Sequence, residues 1–150
     1  ARVPGDFSSA AFWLAAVVIQ PEAEVTVEGV GLNPTRTGFL DVLRLMGADI
    51  EARVTGQAAG EPVGTVTARS SRLKAAEVGG SLLPRLIDEV PLVALVACFA
   101  EGRPVEERDL LAAMGQIVPL STTMAEQIKA IRSWARTRAL PATTPGKPEM

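Results

Sequence analysis

The residue best placed for chemistry is Asp88, in the segment Pro84–Pro91 (PRLIDEVP), directly before an apolar run. A carboxylate at this position has two interpretations. It caps the first turn of the helix that the apolar run predicts, or it accepts hydrogen bonds from a sugar-like diol and exchanges a proton with a substrate. Spacing alone favours the cap. Both roles are compatible, because a carboxylate has two oxygens.

Other positions carry polar or charged side chains near predicted helix starts. Glu89 suits a first turn, where an acid complements the helix dipole. Asp6 precedes another apolar run and is interpreted as a cap. Thr35 and Arg36 lie between a turn and a helix; an anion-binding role is the alternative there, and a structural turn is favoured.

A basic cluster surrounds Trp134 near the end of the chain, formed by Lys129, Arg132, Arg136 and Arg138. Such a face can contact nucleic acid or an acidic partner, but a solvated helix face is favoured. The net charge is -2, from 15 basic and 17 acidic residues. This balance supplies no strong field, so it argues against nucleic acid and anionic membranes as partners.

Composition excludes several chemistries. The chain has no histidine, which excludes Ser-His-Asp and Cys-His catalysis and every histidine-bearing zinc site. The one cysteine, Cys98, lies in an apolar run, which predicts a buried, inert thiol and fits a reducing compartment. No phosphate-binding glycine loop is present.

The ends and the apolar stretches place further limits. The longest apolar runs, Ala10–Ile19 and Val90–Ala100, are shorter than the roughly 20 residues that a membrane span requires. The segment Ala1–Gly5 lacks the form of a signal peptide and an initiator methionine. We therefore expect no membrane partner, and we expect the chain to begin inside a longer protein.

Periodicity predicts the elements that position these residues. Helices are predicted at Ala10–Ile19, Thr37–Met46 and about Glu89–Ala100, and strands at Glu24–Val30, Asp49–Val54, Val63–Ala68 and Leu73–Val78. The first helix is apolar almost all round, so it is predicted to be buried, with Trp13 in the core. Asp49–Val54 and Val63–Ala68 are predicted to form a hairpin. The fold class is α/β (α+β), with helices packed on mixed sheets.

An internal repeat is suggested by Asp6 and Asp88, each of which opens an apolar helix, 82 positions apart. The same offset from Thr37–Met46 leads to a second amphipathic helix near Met124. The chain is therefore predicted to hold one full unit and the start of another. Residues 141–150, with three prolines, are predicted to be a flexible tail.

Four stretches in order resemble EPSP synthase (3-phosphoshikimate 1-carboxyvinyltransferase) of the bacterial type. They are PGDFSSAAF from Pro4, GLNPTRTG from Gly31 with MGADI from Met46, EPVG from Glu61, and LPRLIDEVP from Leu83. The resemblance covers about residues 3–102. It implies two domains of βαβαββ units, three units to a domain, that close over the substrates. It also implies enolpyruvyl transfer from phosphoenolpyruvate to shikimate 3-phosphate, in the cytoplasm, with no cofactor or metal.

The resemblance assigns a role to Asp88, which matches the family's aspartate that binds the shikimate ring hydroxyls and is assigned to proton transfer. It gives Arg36 no ligand role. The family's Lys-Glu-Ser/Thr-Asp-Arg segment is missing after Gly102, where the chain reads RPVEERD. We therefore expect a partial enolpyruvyl transferase, inactive alone, with residues 1–102 as the family-like part, 103–140 as a diverged continuation with the basic helix, and 141–150 as the tail.

Two alternatives stay open at this point. One is a non-catalytic assembly domain that self-associates through an incomplete sheet edge. The other is the sister enolpyruvyl transferase of cell-wall synthesis, which the Asn-Pro-Thr-Arg and Ile-Asp-Glu sequences disfavour.

Overall fold

The computed structural model describes residues 3–115 and 124–138. Its helices are α1 (Phe7–Ile19), α2 (Gly38–Leu45), α3 (Val90–Ala100), α4 (Glu107–Gly115) and α5 (Ala125–Arg138), and its strands are β1 (Glu24–Gly31), β2 (Asp49–Ala58) and β3 (Glu61–Arg69). Two short 3₁₀ turns, Gly80–Arg85 and Ile87–Glu89, lead into α3. The residues up to α4 belong to one unit, and α5 belongs to another.

The sheet has the order β1–β3–β2, with both pairs antiparallel. The predicted hairpin is confirmed, because β2 and β3 pair along their length around a turn at Ala59 and Gly60. Both turn residues have positive φ (53° and 84°), as the type I′ form of a two-residue hairpin turn requires. The outer side of β1 receives a parallel bridge from Gly5 to Val30, so the segment before α1 is attached to the sheet.

The core lies between the sheet and the helices. Alternate residues of β3 are buried, since a half-buried strand presents every second side chain to the same face. Leu14 of α1 and Phe39 and Leu43 of α2 are fully buried. Gly64 is required where the strands converge: a Cβ there would overlap the carbonyl oxygen of Arg53 and lie 2.6 Å from Leu32 Cδ1. Only glycine fits at that position without movement of the neighbouring backbone.

Two sequence predictions are wrong. Trp13 is 65% exposed and Phe12 63% exposed, whereas the apolar pattern of α1 predicts burial all round. The sheet and α3 pack against one side of α1, and an all-apolar helix gives no periodicity by which to tell that side from the other. Leu73–Val78 forms no strand. It passes the end of α2 instead, where the Lys74 amide donates to the Met46 carbonyl at 2.9 Å.

The two halves of the predicted repeat differ in structure. The offset of 82 from β1 falls at residues 106–113, and α4 occupies that position as a helix. The predicted helix near Met124 is confirmed as α5, and its four basic residues are exposed. The predicted tail at 141–150 lies outside the described residues.

Candidate functional site

The starts of α1 and α3 meet. Asp6 caps α1, because its Oδ2 accepts hydrogen bonds from the amide of Ser9 at 2.8 Å and from the Ser9 hydroxyl at 2.7 Å. One residue before Ser9, the Ser8 hydroxyl donates to Glu89 Oε1 at 2.6 Å. This bond crosses 81 positions of sequence and joins the first turn of α1 to the residue that precedes α3.

The sequence predicts Glu89 as a first-turn acid, and the structure places it directly before α3 with its side chain turned inward. Only 3% of it is exposed, and its partner is Ser8. Burial raises the pKa of the Glu89 carboxyl above its ordinary value, because water no longer solvates the charge, and the Ser8 hydrogen bond opposes that shift. The Asp6 carboxyl behaves in the opposite way: hydrogen bonds from the Ser9 side chain and backbone lower its pKa.

Asp88 lies in the second 3₁₀ turn, with its side chain 64% exposed. The cap interpretation is wrong, because Glu89 is the residue that precedes α3, and among the described residues no backbone amide donates to Asp88. Its Oδ2 faces Arg36 Nη2 at 3.4 Å. The structure therefore brings the predicted site residue Asp88 together with Arg36.

Arg36 belongs to the loop between β1 and α2, and two sets of contacts hold that loop. Asn33 Oδ1 accepts from the Thr35 amide at 3.0 Å, and the Arg36 amide donates to the Asn33 carbonyl at 2.9 Å, which closes a tight turn. Arg85 then attaches the loop to the segment before Asp88. Its Nε donates to the Pro34 carbonyl at 2.7 Å.

The attachment through Arg85 extends to α2. Arg85 Nη2 lies 2.8 Å from Asp41 Oδ2, and the Arg85 backbone passes so close to Gly38 that an added Cβ would lie 2.9 Å from it. Glycine at position 38 therefore lets the segment carrying Asp88 approach the start of α2 closely. These contacts hold the loop that carries Arg36 against the segment that leads to Asp88.

A groove of about 250 Å³ adjoins this cluster, and its polar lining residues are Asp6, Asn33, Arg36 and Glu61. Arg36 is the cation that acts on both Asp6 and Glu89 electrostatically, and it also pairs with Asp88. Carboxylates thus outnumber cations around Arg36. Such a surface accepts hydrogen bonds from hydroxyl groups and disfavours a bare phosphate.

A second polar cluster joins α3 to α4. Arg103 contacts Glu101 Oε2 at 2.6 Å and Asp109 Oδ2 at 2.8 Å, and the bond to Arg103 keeps the pKa of Asp109 far below its ordinary value. Cys98 beneath them is fully buried, as predicted, and burial raises the pKa of its thiol. This cluster positions α4.

Within residues 3–115 and 124–138, no group of three metal-ligating side chains is arranged to hold an ion. No helix in the described ranges is long and apolar enough to cross a membrane.

Sequence reasoning missed the Ser8–Glu89 bond and the Arg36–Asp88 pair. The motif containing Arg36 stands out in the sequence, but as a turn or an anion site. One sequence contains no signal that pairs a residue with a partner 52 positions away.

Comparison with known proteins gives a consistent result. A family model described as EPSP synthase (3-phosphoshikimate 1-carboxyvinyltransferase) matches residues 1–132. A 3-phosphoshikimate 1-carboxyvinyltransferase of Thermus thermophilus is 61% identical over 100 residues, which are 67% of this chain and 23% of that protein. The protein of the same name from Synechococcus sp. (strain JA-3-3Ab) is 51% identical over 124 residues, 77% of this chain and 28% of that one.

A solved EPSP synthase from Acinetobacter baumannii superposes with a TM-score of 0.65 and 35% identity, over 75% of this chain and 28% of that chain. The chain therefore spans less than a third of the length of the relatives that it matches.

Proposed function

Because the chain belongs to the EPSP synthase (3-phosphoshikimate 1-carboxyvinyltransferase) family, we propose that it supplies one part of an enolpyruvyl-transfer site. The substrates are shikimate 3-phosphate and phosphoenolpyruvate, and the products are 5-enolpyruvylshikimate 3-phosphate and phosphate. Asp88 is the proposed site residue. It accepts hydrogen bonds from the ring hydroxyls and exchanges a proton with the substrate.

The environment of Asp88 supports this role. Its carboxylate is exposed, lies at the start of α3, and accepts a hydrogen bond from Arg36 at Oδ2, while Oδ1 accepts none from the described residues. An oxygen that has no protein donor is available to a ligand hydroxyl. Asp6 and Glu89 nearby disfavour the phosphate, so on this proposal the ring hydroxyls face Asp88 and the 3-phosphate points away.

The proposal predicts selective binding, which a titration with shikimate 3-phosphate followed by amide chemical shifts measures. Shifts should cluster around Asp88 and disappear in Asp88→Ala. Asp49→Ala is the matched control, because Asp49 is 62% exposed and pairs with Arg69 at 3.5 Å, far along the sheet. Shikimate should reproduce the shifts and inorganic phosphate should not. Equal losses in both variants, or shifts from inorganic phosphate alone, contradict the proposal.

We propose further that these 150 residues alone do not catalyse the transfer. Preorganised cations stabilise the charge that develops as a phosphate group leaves, and Arg36, the cation beside Asp88, is already paired with that carboxylate. Incubation with phosphoenolpyruvate and shikimate 3-phosphate should release no phosphate above the rate of the Asp88→Ala variant. Turnover above that rate would refute this part of the proposal.

The proposed location is the cytoplasm. The support is the single thiol, Cys98, which has no cysteine partner in the chain.

A second candidate, a non-catalytic assembly domain, is favoured by one observation. Phe12 and Trp13 of α1 and Phe99 of α3 are at least half exposed. Exposed aromatic side chains favour association. The outer strand β2 is the less suitable surface, because Asp49, Glu51 and Arg53 are charged and exposed, and charges discourage strand addition.

Light scattering tests the assembly candidate. It predicts a mass of two or more copies at high concentration and a monomer for Trp13→Glu. A wild type that stays monomeric at the highest soluble concentration excludes it.

A further inference from the structure

We propose that Arg36 is a positioning residue, which holds the Asp88 carboxylate in one orientation so that Oδ1 faces the ligand. This inference rests on the proposed function of Asp88. The contact is a single hydrogen bond from Arg36 Nη2 to Asp88 Oδ2 at 3.4 Å, between side chains 59% and 64% exposed. An aspartate on an exposed turn has several rotamers, and a cation on one oxygen favours the rotamer that keeps this contact.

The loop contacts make Arg36 suitable for this role. Its backbone is fixed by the Asn33 turn, and Arg85 attaches that turn to the segment leading to Asp88. Contacts other than the ion pair therefore fix the backbone of Arg36 relative to Asp88. A guanidinium on a fixed backbone favours one orientation of the carboxylate that it binds. A guanidinium on a mobile loop would move with the carboxylate and favour none.

The Arg36–Asp88 ion pair is weak, so a positioning role for Arg36 can be distinguished from a role in stabilising the fold. Exposed ion pairs contribute little to folding. Removal of Arg36 should therefore leave the unfolding midpoint close to that of a matched variant elsewhere. Arg53→Met is that variant, because Arg53 pairs with Glu51 at 2.9 Å on the exposed edge of the sheet. Any effect on Asp88 or its ligand then arises from orientation.

The experiment uses the 150-residue chain with Arg36→Met, Arg36→Lys and Arg53→Met. Three-bond couplings to the Asp88 carboxyl carbon report its χ1 rotamer without ligand, and amide shifts give the Kd for shikimate 3-phosphate. We expect one dominant Asp88 rotamer in the wild type and in Arg53→Met, rotamer averaging in Arg36→Met, and partial recovery in Arg36→Lys. The Kd should rise by up to about fivefold in Arg36→Met, which is the upper range for an exposed pair.

The outcomes distinguish the inference from the proposed function. An unchanged Asp88 rotamer in Arg36→Met, or an unchanged Kd, overturns the role of Arg36 and leaves that of Asp88 intact. A wild type that shows one rotamer but binds no shikimate 3-phosphate overturns the proposed function, and the inference with it. A lower unfolding midpoint in Arg36→Met than in Arg53→Met identifies Arg36 as a structural residue instead.

Discussion

Replacing Ser8 with alanine removes the hydroxyl that donates to Glu89 Oε1 at 2.6 Å and joins the starts of α1 and α3. Where Glu89 is ionised, a hydrogen bond to its charged carboxylate contributes about 1.5–3 kcal/mol. Because the contact is only partly buried, we expect Ser8→Ala to lower the free energy of unfolding by about 1.5–2 kcal/mol at a pH above the raised pKa of Glu89.

The cost should depend on pH, with a sign that follows from the Glu89 pKa. Burial raises that pKa in the folded state above the value of 4.5 for an unperturbed glutamate. Between the two values the folded chain holds more protons than the unfolded chain, so the free energy of unfolding falls as pH rises through this window. The Ser8 hydrogen bond lowers the pKa of Glu89 in the folded state, so Ser8→Ala raises that pKa and extends the window upward. The difference in the free energy of unfolding between wild type and variant therefore grows with pH.

Urea unfolding at pH 7 and at about pH 4 measures this difference. At the lower pH Glu89 is protonated, the bond is neutral, and the cost of Ser8→Ala should fall to about 0.5–1 kcal/mol. Ser9→Ala is the control on the same turn. Its hydroxyl donates to the exposed Asp6, whose lowered folded pKa preserves the contribution until pH falls below about 3.8. A Ser8→Ala cost that is equal at both pH values would refute the reasoning.

Three further predictions concern the sheet and the buried thiol. Gly64→Ala should lower the free energy of unfolding by about 1–3 kcal/mol, because a Cβ at position 64 overlaps the Arg53 carbonyl. The control Gly56→Ala has open space around it and should change the free energy of unfolding by less than about 0.5 kcal/mol. Urea unfolding measures both variants, and equal costs would contradict the packing account. Ala59→Asn should raise the free energy of unfolding by about 0.5–1 kcal/mol, because φ is 53° at this position and asparagine tolerates positive φ. A variant that is less stable than the wild type in urea unfolding would exclude this account of the turn. An aromatic disulfide reagent should modify Cys98 only in denaturant, because the thiol is fully buried and its pKa is raised; rapid labelling of the native chain would contradict that burial.

Most elements could be predicted from the sequence because their patterns are local. The alternation in β1 and the hairpin, and the spacing of Phe39, Leu40 and Leu43 in α2, identify each element without knowledge of its neighbours. The orientation of α1 could not be predicted. Nearly all its positions are apolar, so the exposure of Trp13 follows from what packs beside the helix and not from the helix itself.

The site was predictable only in part for a related reason. Resemblance to a family identified Asp88, but spacing predicted a cap there and a first-turn acid at Glu89, and neither prediction says which side chain is buried. In the structure the buried acid is Glu89 and the exposed one is Asp88. Which of two adjacent acids turns inward depends on the distance between α1 and α3, and that distance is a property of tertiary packing. The contact between Arg36 and Asp88 also depends on tertiary packing, because Arg85 attaches the loop of Arg36 to the segment before Asp88.

The strand order β1–β3–β2 also determines when each part of the chain can be protected during synthesis. Because Glu24 of β1 pairs with Arg69, the pairing of β1 is complete only when the last residue of β3 is available. The β2–β3 hairpin is local and closes within microseconds once both strands are available. Translation that pauses before β3 is available therefore leaves β1 without its strand partner, in the form that chaperones bind and that aggregates. The turn at Ala59 and Gly60 then marks the point after which β3 can begin to pair with β1.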